Sequence, residues 1–200
     1  MTFTVPNLLS ILRMGLIPLF VIALLEGRPG RALAIFVIAG LTDALDGLLA
    51  RLLDQRSVLG MYLDPMADKL LLVTAYVMLS VPQLKPDLDI PIWVTALVIT
   101  RDVVIVGVAL VMHLAHGRGR FPPSLLSKVN TVLQVATVVL VLATALSPRL
   151  DGVATGFIFA MAGTTMLSAL DYIYRYATGK PPAADDGSVA ADSPRPVAGE

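Results

Sequence analysis

Four aspartates and an arginine stand in a fixed pattern between positions 43 and 68: Asp43-x-x-Asp46-Gly47-x-x-Ala50-Arg51, eight residues, Gly60, then Asp64-x-x-x-Asp68. On a helix Asp43, Asp46, Gly47 and Ala50 fall at i, i+3, i+4 and i+7 and share one face. Asp64 and Asp68 are i and i+4 and share a face of the next helix. The connection between the two is short, so the helices are expected to be antiparallel neighbours with both acid pairs at one depth. Four converging carboxylates repel one another unless a cation joins them, and oxygen-only donors suit Mg²⁺ or Mn²⁺, as one ion or two. Gly47 and Ala50 on the acid face, with Gly60 one turn before Asp64, leave a groove in which a ligand can approach the backbone. Arg51 at its rim suits a phosphate. Metal, groove and phosphate partner together point to phosphoryl transfer from a nucleotide-like donor, with one aspartate as base toward an acceptor hydroxyl.

Two other readings of the acids stay open at this point. They could be interfacial groups in ordinary salt bridges, for example with Arg51 and Lys69, or the site of a divalent-cation or proton-coupled transporter. An Asp at the centre of a membrane helix costs about 2.5–3.5 kcal/mol, which for four acids weighs against a merely structural role. Transporters tend to place their site near the midplane between related repeats. Here the acids sit toward one end of their spans, and no repeat is visible.

The elements that position these residues follow from composition. Of 200 residues 56% are hydrophobic and 15% charged, and the mean hydropathy is +0.78. That excludes an ordinary soluble domain and predicts an all-α, polytopic membrane protein. Net charge is zero, so no basic field argues for nucleic acid, and the absence of cysteine excludes disulfides, thiolate metal sites and Cys nucleophiles. Six spans are expected, at about Pro6–Leu25, Arg31–Leu53, Tyr62–Val81, Ile90–His113, Ser127–Leu146 and Val153–Tyr176. They form one membrane domain over 1–178, followed by a Pro-, Ala- and Asp-rich tail, 179–200, expected to be disordered. The N-terminus lacks the basic region and cleavage site of a signal peptide, so the first span is expected to remain. Glu26-Gly-Arg-Pro-Gly30 reads as a turn, and Pro18 as the site of a kink.

Six spans put both termini on one side. Arg51, Arg56, Arg118, Arg120, Lys128, Arg175 and Lys180 lie there, against Arg28, Arg31, Lys85 and Arg149 opposite. The positive-inside rule makes that side cytoplasmic, so the acids face the cytoplasm, and a bacterial cytoplasmic membrane is the expected location. Small residues recur every fourth position in the last span, at Gly152, Gly156, Ala160, Thr164 and Ser168. They fit close packing within the molecule, or a dimer seam.

The pattern from Asp43 to Asp68 resembles, at every defined position, the signature of the CDP-alcohol phosphatidyltransferase family. The resemblance extends from about Val5 to Tyr176. It implies that Asp43, Asp46, Asp64 and Asp68 hold the metal, with Asp68 also the general base, and that Gly47, Ala50, Arg51 and Gly60 border the CDP moiety. The implied reaction is attack of an alcohol on the lipid-bearing phosphate of CDP-diacylglycerol, releasing CMP, in a homodimer. Val5-Pro-Asn-Leu-Leu-Ser-Ile-Leu-Arg13 is similar to the opening of two branches, the phosphatidylglycerophosphate synthases and the CDP-alcohol type of cardiolipin synthase. Ile99-Thr-Arg101-Asp102-Val103 and the stretch from Pro123 to Thr131 look closer to the second. Where the first branch resembles Lys-x-Lys-Thr, this chain has Lys128-Val-Asn130-Thr131, one cation fewer. A phosphatidylglycerol acceptor, with a single-charged diester, asks for less than the dianion of glycerol-3-phosphate. The expected acceptor is therefore phosphatidylglycerol, with glycerol-3-phosphate the alternative, held by Arg101, Arg118 and Lys128. Each of these three also has a plainer role: Arg101 as partner of Asp102 or of a motif acid, Lys128 as a membrane anchor, Arg118 as a contact to anionic headgroups.

Overall fold

The computed structural model of the chain describes residues 5–52, 58–81, 90–116 and 125–177, and within them the side chains of 11–43, 66–81, 90–107 and 126–171. The described residues form six long helices and no strand: α1 (Val5–Leu25), α2 (Pro29–Leu52), α3 (Val58–Leu79), α4 (Ile92–His116), α5 (Leu125–Thr144) and α6 (Asp151–Ala177), with a 3-10 turn at Pro148–Leu150 before α6. At about 1.5 Å per residue, helices of 20 to 27 residues match the roughly 30 Å hydrocarbon core of a bilayer.

The surface and interior are exchanged relative to a protein dissolved in water. Large apolar side chains such as Ile11, Leu12, Leu19, Val37, Ile38, Val103, Val106, Val132, Phe159, Leu167 and Leu170 are exposed along the helices. Arg13, Arg101, Asn130, Gln134, Thr137, Thr165 and Ser168 are buried. An apolar exterior on this scale is tolerable against lipid and a liability against water. Among the described residues, Leu126–Thr144 and Pro148–Asp171 are long and apolar enough to cross a membrane, and Ile11–Leu25 is a shorter apolar run. The charged residues Arg13, Asp43, Asp68, Lys69, Arg101 and Asp102 interrupt the apolar runs of α1 to α4.

α1 packs against both α2 and α3, α5 against α2 and α6, and α4 mainly against α6. The core at the centre combines Phe20 and Phe36, whose rings lie 5.9 Å apart, with Leu71, Tyr76, Val94, Val138, Leu142 and Met161. The alanines Ala23, Ala32, Ala39 and Ala75 are buried among them and let the helices approach closely.

The turn after α1 forms as expected. Gly27 adopts a positive φ of 70°, which an L side chain resists. Its N–H reaches Leu24 O at 2.9 Å and that of Arg28 reaches Ala23 O at 2.9 Å, the paired bonds of a Schellman cap. Pro29 then opens α2, where its missing N–H is no loss. Pro18 lies within a continuous α1.

Three expectations change. α3 begins at Val58, four residues ahead of the expected start, so Gly60 lies in its first turn. α4 runs on to His116. The small-residue stripe of α6 does not pack within the chain along its length. Gly152, Gly156 and Ala160 are exposed, and a Cβ on either glycine would meet nothing within 4 Å. Only Thr164 and Ser168 turn inward, because a four-residue step drifts around a 3.6-residue helix. Arg118 and the tail 179–200 lie outside the described residues.

Candidate functional site

Asp43 of α2 and Asp68 of α3 come together through α1. Arg13, two turns into α1, directs one nitrogen, Nη1, to both Asp43 Oδ1 at 2.9 Å and Asp68 Oδ1 at 2.5 Å. Two oxygens within reach of one nitrogen must be close to one another, so the first residue of one acid pair and the last of the other converge. Asp46, Gly47, Ala50 and Arg51 follow on α2, and Gly60 and Asp64 precede Asp68 on α3; their side chains lie outside the described ones. The Arg13 side chain is fully buried, whereas those of Asp43 and Asp68 are 43% and 40% exposed. Each carboxylate therefore has Arg13 behind it and an open side before it.

A second cluster adjoins the first. Lys69 Nζ pairs with Asp102 Oδ2, and Arg101 Nη1 donates to Asp102 Oδ1 at 2.9 Å. Arg101 Nη2 reaches Ser127 Oγ at 2.7 Å and Ser168 Oγ at 3.0 Å. With Arg13, Asp43 and Asp68, this gives one polar layer to which all six helices contribute. The layer holds three cations and three anions and is neutral. Asp46 and Asp64 add two negative charges, with Arg51 the one motif cation to set against them.

Asn130, one turn from the start of α5, is fully buried and faces α6. The hydroxyls of Thr164 and Thr165 donate to its Oδ1 at 3.0 and 2.8 Å, and both also reach the Met161 carbonyl. Its Nδ2 has no partner among the described residues. Turning the amide over pairs Nδ2 with both hydroxyl oxygens and leaves Oδ1 over instead, so one end of Asn130 is unsatisfied either way. Lys128 is exposed.

Arg13 is the residue that sequence reasoning left without a role. A signal existed, since it is the only charged residue of α1, and a buried arginine with no acid on its own helix must find one on another. Of the two partners that a plainer salt-bridge role for the acids would use, Lys69 turns to Asp102 and not to its neighbour Asp68, and the Arg51 side chain lies outside the described ones. Arg101 has the expected partner in Asp102.

Among the described residues no three metal-ligating side chains gather at one point. Asp43 and Asp68 are two convergent oxygen donors from different helices, each with an open side, and such donors fit a hard divalent cation. A family model described as CDP-alcohol phosphatidyltransferase matches residues 3–169, which include the whole pattern, the first five helices and most of α6. The chain belongs to the CDP-alcohol phosphatidyltransferase family.

Among relatives of this CDP-alcohol phosphatidyltransferase, the Homo sapiens protein named cardiolipin synthase (CMP-forming) is 35% identical over 191 aligned positions, 87% of this chain and 62% of that protein. A Drosophila melanogaster protein named probable cardiolipin synthase (CMP-forming) is 33% identical, over 85% of this chain and 56% of its own length. A Mycobacterium tuberculosis protein named probable phosphatidylglycerophosphate synthase is 34% identical over 84% of this chain and 79% of that protein. The chain thus spans less than two thirds of the length of the animal relatives.

Proposed function

We propose that this phosphatidyltransferase moves phosphatidyl from CDP-diacylglycerol to phosphatidylglycerol, releasing CMP and forming cardiolipin. The observation that carries the reading is the meeting of Asp43 and Asp68 on one nitrogen of Arg13, and membership of the family supports this type of donor. A bound Mg²⁺ or Mn²⁺, held by Asp43, Asp46, Asp64 and Asp68, would draw electron density from the pyrophosphate and ease departure of CMP. The chain's own residues do the rest. Gly47, Ala50 and Gly60 admit the CDP moiety against helix backbone, and Arg51 offers its guanidinium to phosphate. The acceptor oxygen attacks the phosphorus that carries diacylglycerol, the bond from that phosphorus to the bridging oxygen breaks, and Asp68 takes the hydroxyl proton.

Three features support phosphatidylglycerol as acceptor. Asn130 stands where the other branch resembles a lysine, and it is buried in the α5–α6 seam. Arg101 is already bonded to Asp102, Ser127 and Ser168. Lys128 then remains as an exposed cation for a substrate phosphate, with Arg118 beyond the described residues. A phosphomonoester dianion would need more. Glycerol-3-phosphate is the second reading, favoured by the extended match to the mycobacterial protein. In either case we place six spans in a bacterial cytoplasmic membrane, both termini and the acids on the cytoplasmic side, with a second copy of the chain as a partner. The one-sided acids and the family weigh against transport.

The test incubates purified protein with CDP-diacylglycerol, Mn²⁺ and, in parallel, phosphatidylglycerol, glycerol-3-phosphate, inositol phosphate or serine, identifying products by mass. Cardiolipin and CMP are expected with phosphatidylglycerol. A product with glycerol-3-phosphate alone would move the enzyme to the other branch, and no CMP with any acceptor would remove the activity altogether.

A further inference from the structure

We infer that Arg13 is a positioning residue of the metal site, a built-in counter-charge that sets the spacing of Asp43 and Asp68 and tempers their hold on the cation. The inference rests on the proposal that these acids are metal ligands.

The guanidinium is fully buried while both carboxylates are about two-fifths exposed, so substrate and cation approach from the side away from Arg13. It acts through the acids and not on the substrate. A single nitrogen bonded to one oxygen of each carboxylate fixes the relation between α2 and α3 at the depth of the site. The fixing is permanent, because a guanidinium keeps its charge at any working pH. The other two cations of the layer, the half-exposed Lys69 and the buried Arg101, both turn to Asp102. Among the described residues Arg13 is therefore the cation that bears on the acid pair.

Two effects follow and they oppose one another in a diagnostic way. A positive charge against the back of two ligands repels a divalent cation at their front, and the repulsion is strong where the medium is less polarisable than water. Removing the charge should tighten metal binding. The same removal frees two like-charged carboxylates to move apart, which misplaces the base and the metal relative to the donor and slows turnover. A residue that merely stabilised the fold would lower both quantities together.

The experiment compares wild type, Arg13→Gln and Arg13→Lys, each purified in detergent, by Mn²⁺ titration followed by electron paramagnetic resonance and by the rate of CMP release. For Arg13→Gln we expect Mn²⁺ affinity to rise about tenfold and kcat to fall about tenfold or more, with KM for CDP-diacylglycerol within about twofold. Arg13→Lys, which can bring one charged nitrogen to the same two oxygens, should return both values to within about threefold of wild type. Unchanged affinity and rate in Arg13→Gln, or a joint loss of both, overturns the inference. If Arg13→Gln does not fold, Arg13→Lys decides it: near-wild-type values support the bridging charge, and a joint loss overturns it. A wild-type protein that binds no Mn²⁺ would sink the metal-ligand reading beneath it, an outcome separate from normal wild-type binding with an indifferent position 13.

Discussion

Asp68 meets two demands at one carboxylate, since Arg13 holds Oδ1 while the proposed chemistry needs an oxygen that accepts a proton. Asp68→Asn keeps the shape and can still accept from Arg13, but it removes the proton acceptor. Turnover should fall by about 10²–10⁴-fold, with metal-dependent binding of CDP-diacylglycerol still measurable; wild-type turnover in that variant would take Asp68 out of the base role. The spacing of the acids was readable because helical periodicity is local: i, i+3, i+4 and i+7 share a face in any helix. The partners of Arg13 were not readable, because both lie on other helices, the farther 55 residues away. Lys69 teaches the same lesson from the other side. Adjacent residues on a helix do not face each other, so Lys69 turns toward α4 while Asp68 turns toward α1.

The elements reflect how apolar length and helix length differ. Hydropathy marks where side chains suit lipid, whereas a helix continues for as long as its backbone bonds are worth keeping, and α3 accordingly runs ahead of its apolar stretch to Val58. The turn between α1 and α2 was legible from Gly and Pro alone, and its cap gives a direct test. Gly27→Ala forces a side chain into positive φ and should cost about 1 kcal/mol of stability, read as a lower unfolding midpoint in detergent. α5 carries the opposite case. Among the described residues both amide atoms of the buried Gln134 lack a partner, although its backbone oxygen accepts from Tyr76 Oη at 3.1 Å. Gln134→Met should therefore raise the midpoint, by about 1 kcal/mol of relieved desolvation. A lowered midpoint would show that the amide is satisfied by a group outside the described residues.

For the molecule as a whole, the exchange of polar and apolar between interior and surface was foreseeable from composition, and the six-helix layout from the spacing of its apolar runs. Which helices touch was not, since lipid-facing and helix-facing side chains are equally apolar and leave little amphipathic signal to orient each helix. The absence of cysteine makes orientation directly measurable. Single variants Lys128→Cys, near the start of α5, and Arg149→Cys, in the 3-10 turn beyond its end, should react with an impermeant thiol reagent from opposite sides of sealed vesicles. Labelling of Lys128→Cys from the outer face would invert the proposed topology.

The neutral layer also governs how the protein can be made. In the proposed six-span topology helices leave the ribosome one at a time, and α1 would enter the bilayer with a buried arginine whose second acid is synthesised 55 residues later. Until Asp43 is made the guanidinium has neither acid, and near lipid that is disfavoured by about 2.5–3.5 kcal/mol. α1 must then wait near the insertion machinery, or at the headgroup level, until α2 and α3 arrive to receive it. Biogenesis should proceed by release of the first three helices as a group, and a nascent chain arrested before Asp68 is a natural substrate for membrane quality control.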